Sequence, residues 1–248
     1  MNHSEIAKSG YANEQWLADF LSDWENNSSA RNVIRYFGYD IASITSAYSF
    51  RLGSTEKTDV ILSVFEGDKK SEIRISCKKF SYSSGSGTGH VARGMVDNCV
   101  FGFGLDYRVR ESLMAYAGGY IVEGKRGVYF DHPFFSEDKK RRIIEEFEKN
   151  YDLIFTKLFT GQHSPPEYFA VTVENDEDRM LFVTEMNNVV EYAKGDRRVW
   201  FGREETNHNL AIGNVTMYRK GKDLQFKMDY RAMIKDLKHR MRIFYLNS

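Results

Sequence analysis

The sequence predicts an α/β (α+β) fold in which a central mixed β-sheet is flanked by helices. Stretches with apolar residues at helical spacing alternate along the chain with short runs that have the composition of strands. Two of those runs lie close together and are typical of a β-hairpin. Because the 248 residues contain no internal repeat and no clear boundary, we assign residues 1–248 to a single domain.

Two helices are predicted near the N-terminus. Residues 12–25 carry apolar side chains at helical intervals, and Asn13 is placed to act as the N-cap. A second helix is predicted over residues 31–36 and ends near Gly38. Residues 41–50 form a short segment without a clear pattern, so the sequence does not decide between a helix and a strand there.

A β-hairpin is predicted next. Residues 58–65 (TDVILSVF) and 71–80 (SEIRISCKKF) are strand-like, and the turn Glu66-Gly67-Asp68 joins them. The Gly/Ser-rich segment 81–89 predicts a loop. Residues 90–105 are predicted as a helix, against which three glycines count.

The second half of the chain mixes both kinds of element. A long helix is predicted over residues 136–158, with Ser136 as its N-cap, and a strand over 167–173. An acidic turn at 174–178 precedes a predicted helix at 179–193. The last third is rich in strand-like runs, at residues 199–201, 215–219 and 224–228. A basic helix over residues 231–242 is predicted to end the chain.

Composition sets limits on the function. The chain has 35 basic and 35 acidic residues, so it lacks the basic surplus that is usual in DNA-binding proteins, although charge can still be segregated on the surface. The two cysteines, Cys77 and Cys99, suit neither a disulfide framework nor a zinc site. A polar N-terminus and the lack of a long apolar stretch predict a cytoplasmic protein without a membrane segment.

The hairpin carries the residues that indicate chemistry. Asp59 opens its first strand, and Ser76 and Lys78 lie on its second strand. Residues two apart on a strand face the same side, so Ser76 and Lys78 point one way and Cys77 the other. Hairpin pairing brings Asp59 to the side of Ser76 and Lys78. This is the arrangement of the PD-(D/E)xK nucleases, although an acid and a lysine across a hairpin are also common on a plain solvated surface.

These residue types suit phosphodiester hydrolysis. A carboxylate such as Asp59 holds Mg²⁺, which neutralises phosphate charge and acidifies water. Lys78 supplies a positive charge, and it can deprotonate the attacking water if the metal and partial burial lower its pKa. Ser76 is a weaker ligand than the usual acid. Glu14 on the first helix is a candidate extra carboxylate, with stabilisation of the helix N-terminus as the alternative.

Three blocks of sequence carry a resemblance to a known family. The first is residues 7–44, beginning AKSGYANEQWLADF, and the second is Lys57-Thr58-Asp59 with the later strand IRISCK. The third is residues 213–229, GNVTMYRKGKDLQFKMD. In these blocks the chain resembles the small type II restriction endonucleases of the HinP type, which cut GCGC and are related to the MspI group. The blocks keep the family's order and spacing, whereas residues 100–135 and 160–212 match poorly.

The resemblance implies a restriction-endonuclease-like PD-(D/E)xK core and roles for individual residues. The family's metal-binding aspartate falls on Asp59 and its catalytic lysine on Lys78. Ser76, a second candidate metal ligand, replaces a glutamine, so both residues at this position are neutral. The family's base-reading loop follows the lysine, and its polar readers fall near His90 and Arg93. The family's intercalating aromatic has no clear equivalent, because glycines at 85–89 occupy its place.

Further DNA contacts are expected in the third block. Arg219 and Lys220 precede a hairpin turn, and arginine pairs with guanine O6 and N7 in the major groove. Lys227 is a candidate phosphate contact. The plain alternative for Arg219 and Lys220 is a solvated turn.

Together these observations predict a Mg²⁺-dependent type II restriction endonuclease that cuts a short GC-rich site in double-stranded DNA. We expect a monomer or homodimer that works alongside a cognate DNA methyltransferase without forming a complex with it. Three alternatives stay open: an endonuclease of the same fold that requires methylcytosine, a DNA-binding protein that has lost catalysis, and a nuclease-fold protein of repair or immunity.

Overall fold

A computed structural model of the chain describes residues 3–53, 57–81, 88–161, 164–174, 179–203 and 206–246. The chain divides into two compact units. Unit 1 comprises Met1–Gly87, Thr160–Val189 and Tyr230–Ser248, and unit 2 comprises Thr88–Phe159 and Val190–Asp229. The assignment of residues 1–248 to one domain stays a prediction.

The described residues form short runs of helices and of strands along the chain. The strands are β1 (Ser46–Arg51), β2 (Val60–Glu66), β3 (Lys69–Ser81), β4 (Thr88–Met95), β5 (Ile121–Val122), β6 (Lys125–Arg126), β7 (Tyr168–Glu174), β8 (Arg179–Glu185), β9 (Val199–Arg203), β10 (Thr206–Ile212), β11 (Val215–Lys220), β12 (Asp223–Asp229) and β13 (Arg242–Tyr245). The helices are α1 (His3–Ser22), α2 (Ser28–Tyr36), α3 (Val96–Gly102), α4 (Arg110–Ala117), α5 (Glu137–Lys149), α6 (Tyr151–Phe159), α7 (Met186–Lys194) and α8 (Tyr230–Leu237), with short 3-10 turns at Tyr107–Val109 and Lys238–Arg240.

Unit 1 is built on a six-stranded sheet with the order β1-β2-β3-β7-β8-β13. The sheet is mixed, because β3 and β7 pair in parallel while the other neighbours are antiparallel. Helices α1 and α2 cover one face, where Val60, Leu62 and Val64 alternate into the core and pack with Leu17 and Leu21. The predicted mixed sheet flanked by helices is therefore confirmed.

Unit 2 contains a five-stranded antiparallel sheet with the order β4-β12-β11-β10-β9. Strand β12 shows how one face is buried: Leu224, Phe226 and Met228 are each at most 1% exposed, and Phe103 packs edge-on against Phe226. The residues between them point to the opposite face. Strand β10 was not predicted from the sequence.

The N-terminal helix begins earlier than predicted. Helix α1 runs from His3, so Asn13 lies inside it, and the prediction of Asn13 as the N-cap is wrong. The Asn13 side chain is buried and donates a hydrogen bond to the Cys77 sulfur at 3.0 Å. A polar residue near the start of an apolar stretch resembles a cap in sequence, but tertiary contact accounts for this one.

Two segments predicted as helical begin as strands. Residues 90–95 belong to β4, which pairs with β12, and only residues 96–102 are helical. Residues 179–185 form β8, which lies between β7 and β13, before α7 begins at Met186. Strand β8 lies between two others and has four consecutive buried residues, so it lacks the polar-apolar alternation that would distinguish it from a helix. Strand β4 lies at the edge of its sheet, and its pairing with β12 is what makes it a strand.

Other boundaries differ by a turn or more. The long helix predicted over 136–158 is two helices that break at Asn150, although Ser136 caps the first as predicted by accepting a bond from the Lys139 amide. The C-terminal helix ends at Leu237, and Arg242–Tyr245 instead adds an edge strand to the six-stranded sheet.

Two predicted turns fall largely outside the described residues. These are residues 82–87 of the Gly/Ser-rich loop and residues 175–178 of the acidic turn, while residues 88–89 open β4. No helix in the described ranges has both the length and the apolar character to cross a bilayer. Cys77 and Cys99 are buried free thiols.

Candidate active site

Asp59 is fixed at the junction of three strands. It directly precedes β2; its amide donates to the Ile75 carbonyl at 2.9 Å, and its own carbonyl accepts from the Leu52 amide at 2.9 Å. These backbone bonds tie it to the end of β1 and to the middle of β3. The position of the carboxylate is therefore set by the sheet rather than by a loop.

Three consecutive residues of β3 donate hydrogen bonds to the same carboxylate oxygen, Asp59 Oδ2. The donors are the Ser76 hydroxyl at 3.0 Å, the Cys77 amide at 2.6 Å and the Lys78 ammonium at 3.1 Å. Within the described residues, no hydrogen bond ends on the other oxygen, Oδ1. The β3 donors therefore orient the carboxylate and engage only one of its two oxygens.

Strand alternation operates here as the sequence predicts. The side chains of Ser76 and Lys78 both reach Asp59, whereas Cys77 points to the other face and belongs to the apolar core under α1. Only the backbone of Cys77 reaches the polar side, where its carbonyl accepts a second bond from Lys78 at 3.0 Å. The hairpin thus brings Asp59, Ser76 and Lys78 together.

Lys78 is held as an ammonium ion. Burial alone would lower its pKa, but the charge of Asp59, the nearby Tyr230 and the hydrogen bond to Asp59 outweigh burial and raise the pKa. Lys78 would need a lowered pKa to act as a base, and burial does not lower its pKa enough to provide one. In this arrangement Lys78 supplies positive charge and N–H donors.

Glu14 lies close enough to interact electrostatically with the Asp59 and Lys78 pair. Burial, and then the negative charge of Asp59, raise the pKa of Glu14, while Lys78 and Arg51 act in the opposite direction. The Arg51 guanidinium lies 3.6 Å from the Glu14 carboxylate. Because α1 begins at His3, Glu14 is too far from the helix N-terminus to act as a first-turn acid.

Two further residues of the cluster were missed by sequence reasoning. Burial and the charge of Lys78 lower the pKa of Lys57 to about 8, against the opposing effect of Asp59. Burial raises the pKa of Tyr230 to about 12, with Lys78 opposing and Asp59 adding to the rise. The block Lys57-Thr58-Asp59 contained a signal for Lys57, whereas nothing in the sequence around Tyr230 pointed to this site.

The acidic residues Asp59 and Glu14 offer oxygen donors, the type of ligand that a magnesium ion takes. Within the described part of the chain, no three His, Cys, Asp or Glu side chains are grouped to hold a metal. Mg²⁺ keeps several water ligands and is bound by one or two carboxylates, which Asp59 and Glu14 can supply. The Ser76 hydroxyl is engaged with Asp59, so its role as a ligand stays a prediction.

Four of the predicted DNA contacts lie on one face of the five-stranded sheet in unit 2. His90 pairs across the strands with Lys227, and Arg93 pairs with Gln225. Gln225, which sequence reasoning missed, contacts the His90 ring at 2.6 Å, and Arg93 forms an ion pair with Asp223 at 2.7 Å. Lys220 is opposite Asp223 and shares this face.

Arg219 lies on the other face of the same sheet. It is opposite Leu224, whose side chain is buried in the core. Its guanidinium stacks over the Tyr129 ring at 3.9 Å and would meet any side chain placed at Gly127. The five predicted contacts are therefore divided between two faces, and Arg219 is separated from the others by strand alternation.

Comparisons with known proteins add no family assignment. No model of a known protein family matches the chain, and no curated protein matches it either.

Proposed function

We propose that the protein is a Mg²⁺-dependent type II restriction endonuclease that cuts a short GC-rich site in double-stranded DNA, with unit 1 as its PD-(D/E)xK core. The observation that carries this proposal is the convergence of Ser76 and Lys78 on one oxygen of Asp59, across adjoining strands. Glu14, near enough to interact electrostatically, supplies a second acid.

Each side chain has a task in phosphodiester hydrolysis. The oxygen of a water molecule bonds to phosphorus as the water gives up one proton, one bridging P–O bond breaks, and the leaving oxygen takes up a proton. Lys78 directs its ammonium at a non-bridging phosphate oxygen and offsets the charge that develops there. Ser76 and the Cys77 amide keep the Asp59 carboxylate in one orientation, and Asp59 and Glu14 would hold the metal. When bound, Mg²⁺ supplies positive charge to the phosphate and lowers the pKa of water.

The second unit supplies the contacts to DNA in this proposal. His90 and Arg93 offer donors and acceptors to base edges, while Lys220 and Lys227 offer charge to phosphates. Arg219 is proposed to read guanine from the opposite face of the sheet. The enzyme would act in the cytoplasm, as a monomer or homodimer, and a methyltransferase of the same specificity would protect the host site.

A second candidate function is sequence-specific DNA binding without cleavage. It is favoured by the neutral Ser76 at the position of the usual acid. In this case Asp59 and Lys78 would form an ion pair that stabilises the sheet and does no chemistry.

Plasmid digestion separates these functions. The purified protein is incubated with unmethylated and cytosine-methylated plasmid, with MgCl₂ or with EDTA. Discrete fragments that appear only with Mg²⁺ support the endonuclease, and cutting of methylated plasmid alone supports the methylcytosine-dependent variant. Asp59→Asn should remove cleavage. A sequence-specific gel shift without cutting under any of these conditions would support the binding protein instead.

A further inference from the structure

Cys77 connects helix α1 to the polar cluster through three different atoms. Its amide donates to Asp59, and its carbonyl accepts from Lys78. Its sulfur, on the opposite side of the strand, accepts a hydrogen bond from the Asn13 amide group at 3.0 Å. Asn13 directly precedes Glu14 on α1. Cys77 thus contacts the side chains of Asp59 and Lys78, and also the helix that carries Glu14.

The Asn13 side chain lies in a position that is unfavourable for folding stability. The residue is 2% exposed, and its Oδ1 atom has no hydrogen-bond partner among the described residues. A buried amide oxygen without a partner destabilises a fold, because it loses its hydrogen bonds to water and gains none in return. An apolar side chain of similar size would avoid that cost, so stability alone does not explain an asparagine here.

The C-terminal end of α1 is anchored separately. Ser22 and Ser49 exchange hydrogen bonds between the last turn of the helix and β1, and the Ser49 hydroxyl also reaches the Ala18 carbonyl. These contacts fix the end of the helix to the edge strand of the sheet. The Asn13–Cys77 bond fixes the middle of the helix, which carries Glu14.

We propose that Asn13 and Cys77 are positioning residues, which align α1 with β3 so that the Glu14 carboxylate lies beside Asp59 and Lys78. The proposal depends on the proposed nuclease function for its consequence, since aligned carboxylates are needed to bind Mg²⁺. Partners that orient metal ligands commonly change metal affinity or activity by 10–100-fold when they are removed.

The test uses the full-length protein and four variants. Asn13→Leu removes the hydrogen bond and keeps the branched shape of the side chain, and Cys77→Ala removes the acceptor but keeps both backbone bonds. Cys77→Ser restores an acceptor. Ser49→Ala is the matched control, because it breaks side-chain bonds between α1 and the sheet at the end that does not carry Glu14.

Titration calorimetry with MgCl₂, without DNA, measures the effect on the metal site. We expect Asn13→Leu and Cys77→Ala to weaken Mg²⁺ affinity and to lower kcat by roughly 10–100-fold, with little change in KM for DNA. Cys77→Ser should stay close to the wild type. Ser49→Ala should lower the melting temperature and leave Mg²⁺ affinity unchanged. Wild-type Mg²⁺ affinity and kcat in a folded Asn13→Leu protein would overturn the proposal.

A thiol-protection measurement distinguishes failure of this proposal from failure of the proposed function. In a Cys99→Ser background Cys77 is the only cysteine, so its alkylation rate by iodoacetamide reports on how firmly α1 covers β3. Asn13→Ala should raise that rate by at least about tenfold over Ser49→Ala. If the wild type neither binds Mg²⁺ nor cuts DNA, the proposed nuclease function is refuted. A faster alkylation of Cys77 in Asn13→Ala would still support the alignment of α1 with β3. Equal rates in both variants would refute the alignment itself.

Discussion

At the scale of single residues, the site separates two lysines that look alike in the sequence. The pKa of Lys78 is raised because Asp59 and Tyr230 outweigh the effect of burial. The pKa of Lys57 is lowered to about 8, because burial and the charge of Lys78 outweigh the attraction of Asp59. Lys78 is therefore suited to stabilise negative charge. The positive charge of Lys57, by contrast, destabilises the folded protein.

Lys78→Ala is expected to abolish cleavage and to leave DNA binding largely intact, because the ammonium acts on the charge that develops in the transition state. The neighbouring Lys79 provides a matched control. It has almost the same side-chain exposure, 29% against 28%, but pairs with Glu174 instead. Cleavage assays and gel shifts on both variants test the assignment. Cleavage by Lys78→Ala at the wild-type rate would remove Lys78 from the site.

Lys57 should make stability depend on pH. Its pKa is about 8 in the folded protein against 10.5 as the ordinary value, so the unfolded chain binds more protons between these values. The unfolding free energy should therefore rise as the pH rises from 8 to 10.5. Lys57→Met should raise the unfolding free energy at pH 7 by up to about 3 kcal/mol, since one pKa unit corresponds to about 1.4 kcal/mol.

The comparison is made by urea denaturation at several pH values. The advantage of Lys57→Met should shrink as the pH approaches 10.5, where the lysine of the unfolded chain also loses its proton. Lys57→Arg should give no such gain, because arginine stays charged. A pH-independent difference between Lys57→Met and the wild type would show that lost packing, not charge, is responsible.

At the scale of secondary-structure elements, the hairpin of β2 and β3 does most to form the site. Alternation along β3 sends Ser76 and Lys78 to the polar side and Cys77 to the core. The same rule divides the predicted DNA contacts in unit 2, where Arg219 shares the face of the buried Leu224. A shift of one residue in either strand would exchange the two faces.

Arg219→Ala should loosen sequence preference, at a cost of about 1–3 kcal/mol at one base pair, if its guanidinium reads guanine. The arginine is stacked on Tyr129, so part of its orientation is set before DNA binds. Competition binding with single-base variants of the cleaved site measures this. An equal loss of affinity for every sequence would make Arg219 a phosphate contact or a purely structural residue.

At the scale of the whole molecule, the balance of 35 basic and 35 acidic residues rules out attraction to DNA through net charge. In the proposed function, affinity for phosphates comes from local groups of basic residues, such as Arg93, Lys220 and Lys227 on one face of β4, β11 and β12. Many charges elsewhere are already engaged, as in the Asp152 ion pairs with Lys194 and Arg197.

DNA affinity should therefore fall with salt by a modest slope. Lys227→Ala should weaken binding to all sequences about equally and should reduce the slope of log K against log salt by about 0.9, the value for one phosphate contact. Fluorescence anisotropy across a salt series provides the measurement. A change confined to one base pair would instead make Lys227 a base-reading residue.

Local patterns in the sequence determined the elements that depend on near neighbours. The hairpin of β2 and β3, the Ser136 cap and the hairpin of β11 and β12 all join residues close in the chain. The convergence of Asp59, Ser76 and Lys78 followed from that hairpin and from the two-residue period of a strand. These features could be predicted because turn residues and periodicity specify them directly.

Tertiary structure alone decided the features that depend on partners distant in the chain. Residues 179–185 form a strand because β7 and β13 lie on either side. The buried Asn13 side chain donates its hydrogen bond to the sulfur of Cys77, which lies 64 residues away in the chain. The shifted pKa of Lys57 likewise arises from burial and from the charge of Lys78 on β3. A linear pattern records spacing within one segment, whereas burial and charge depend on which segments meet.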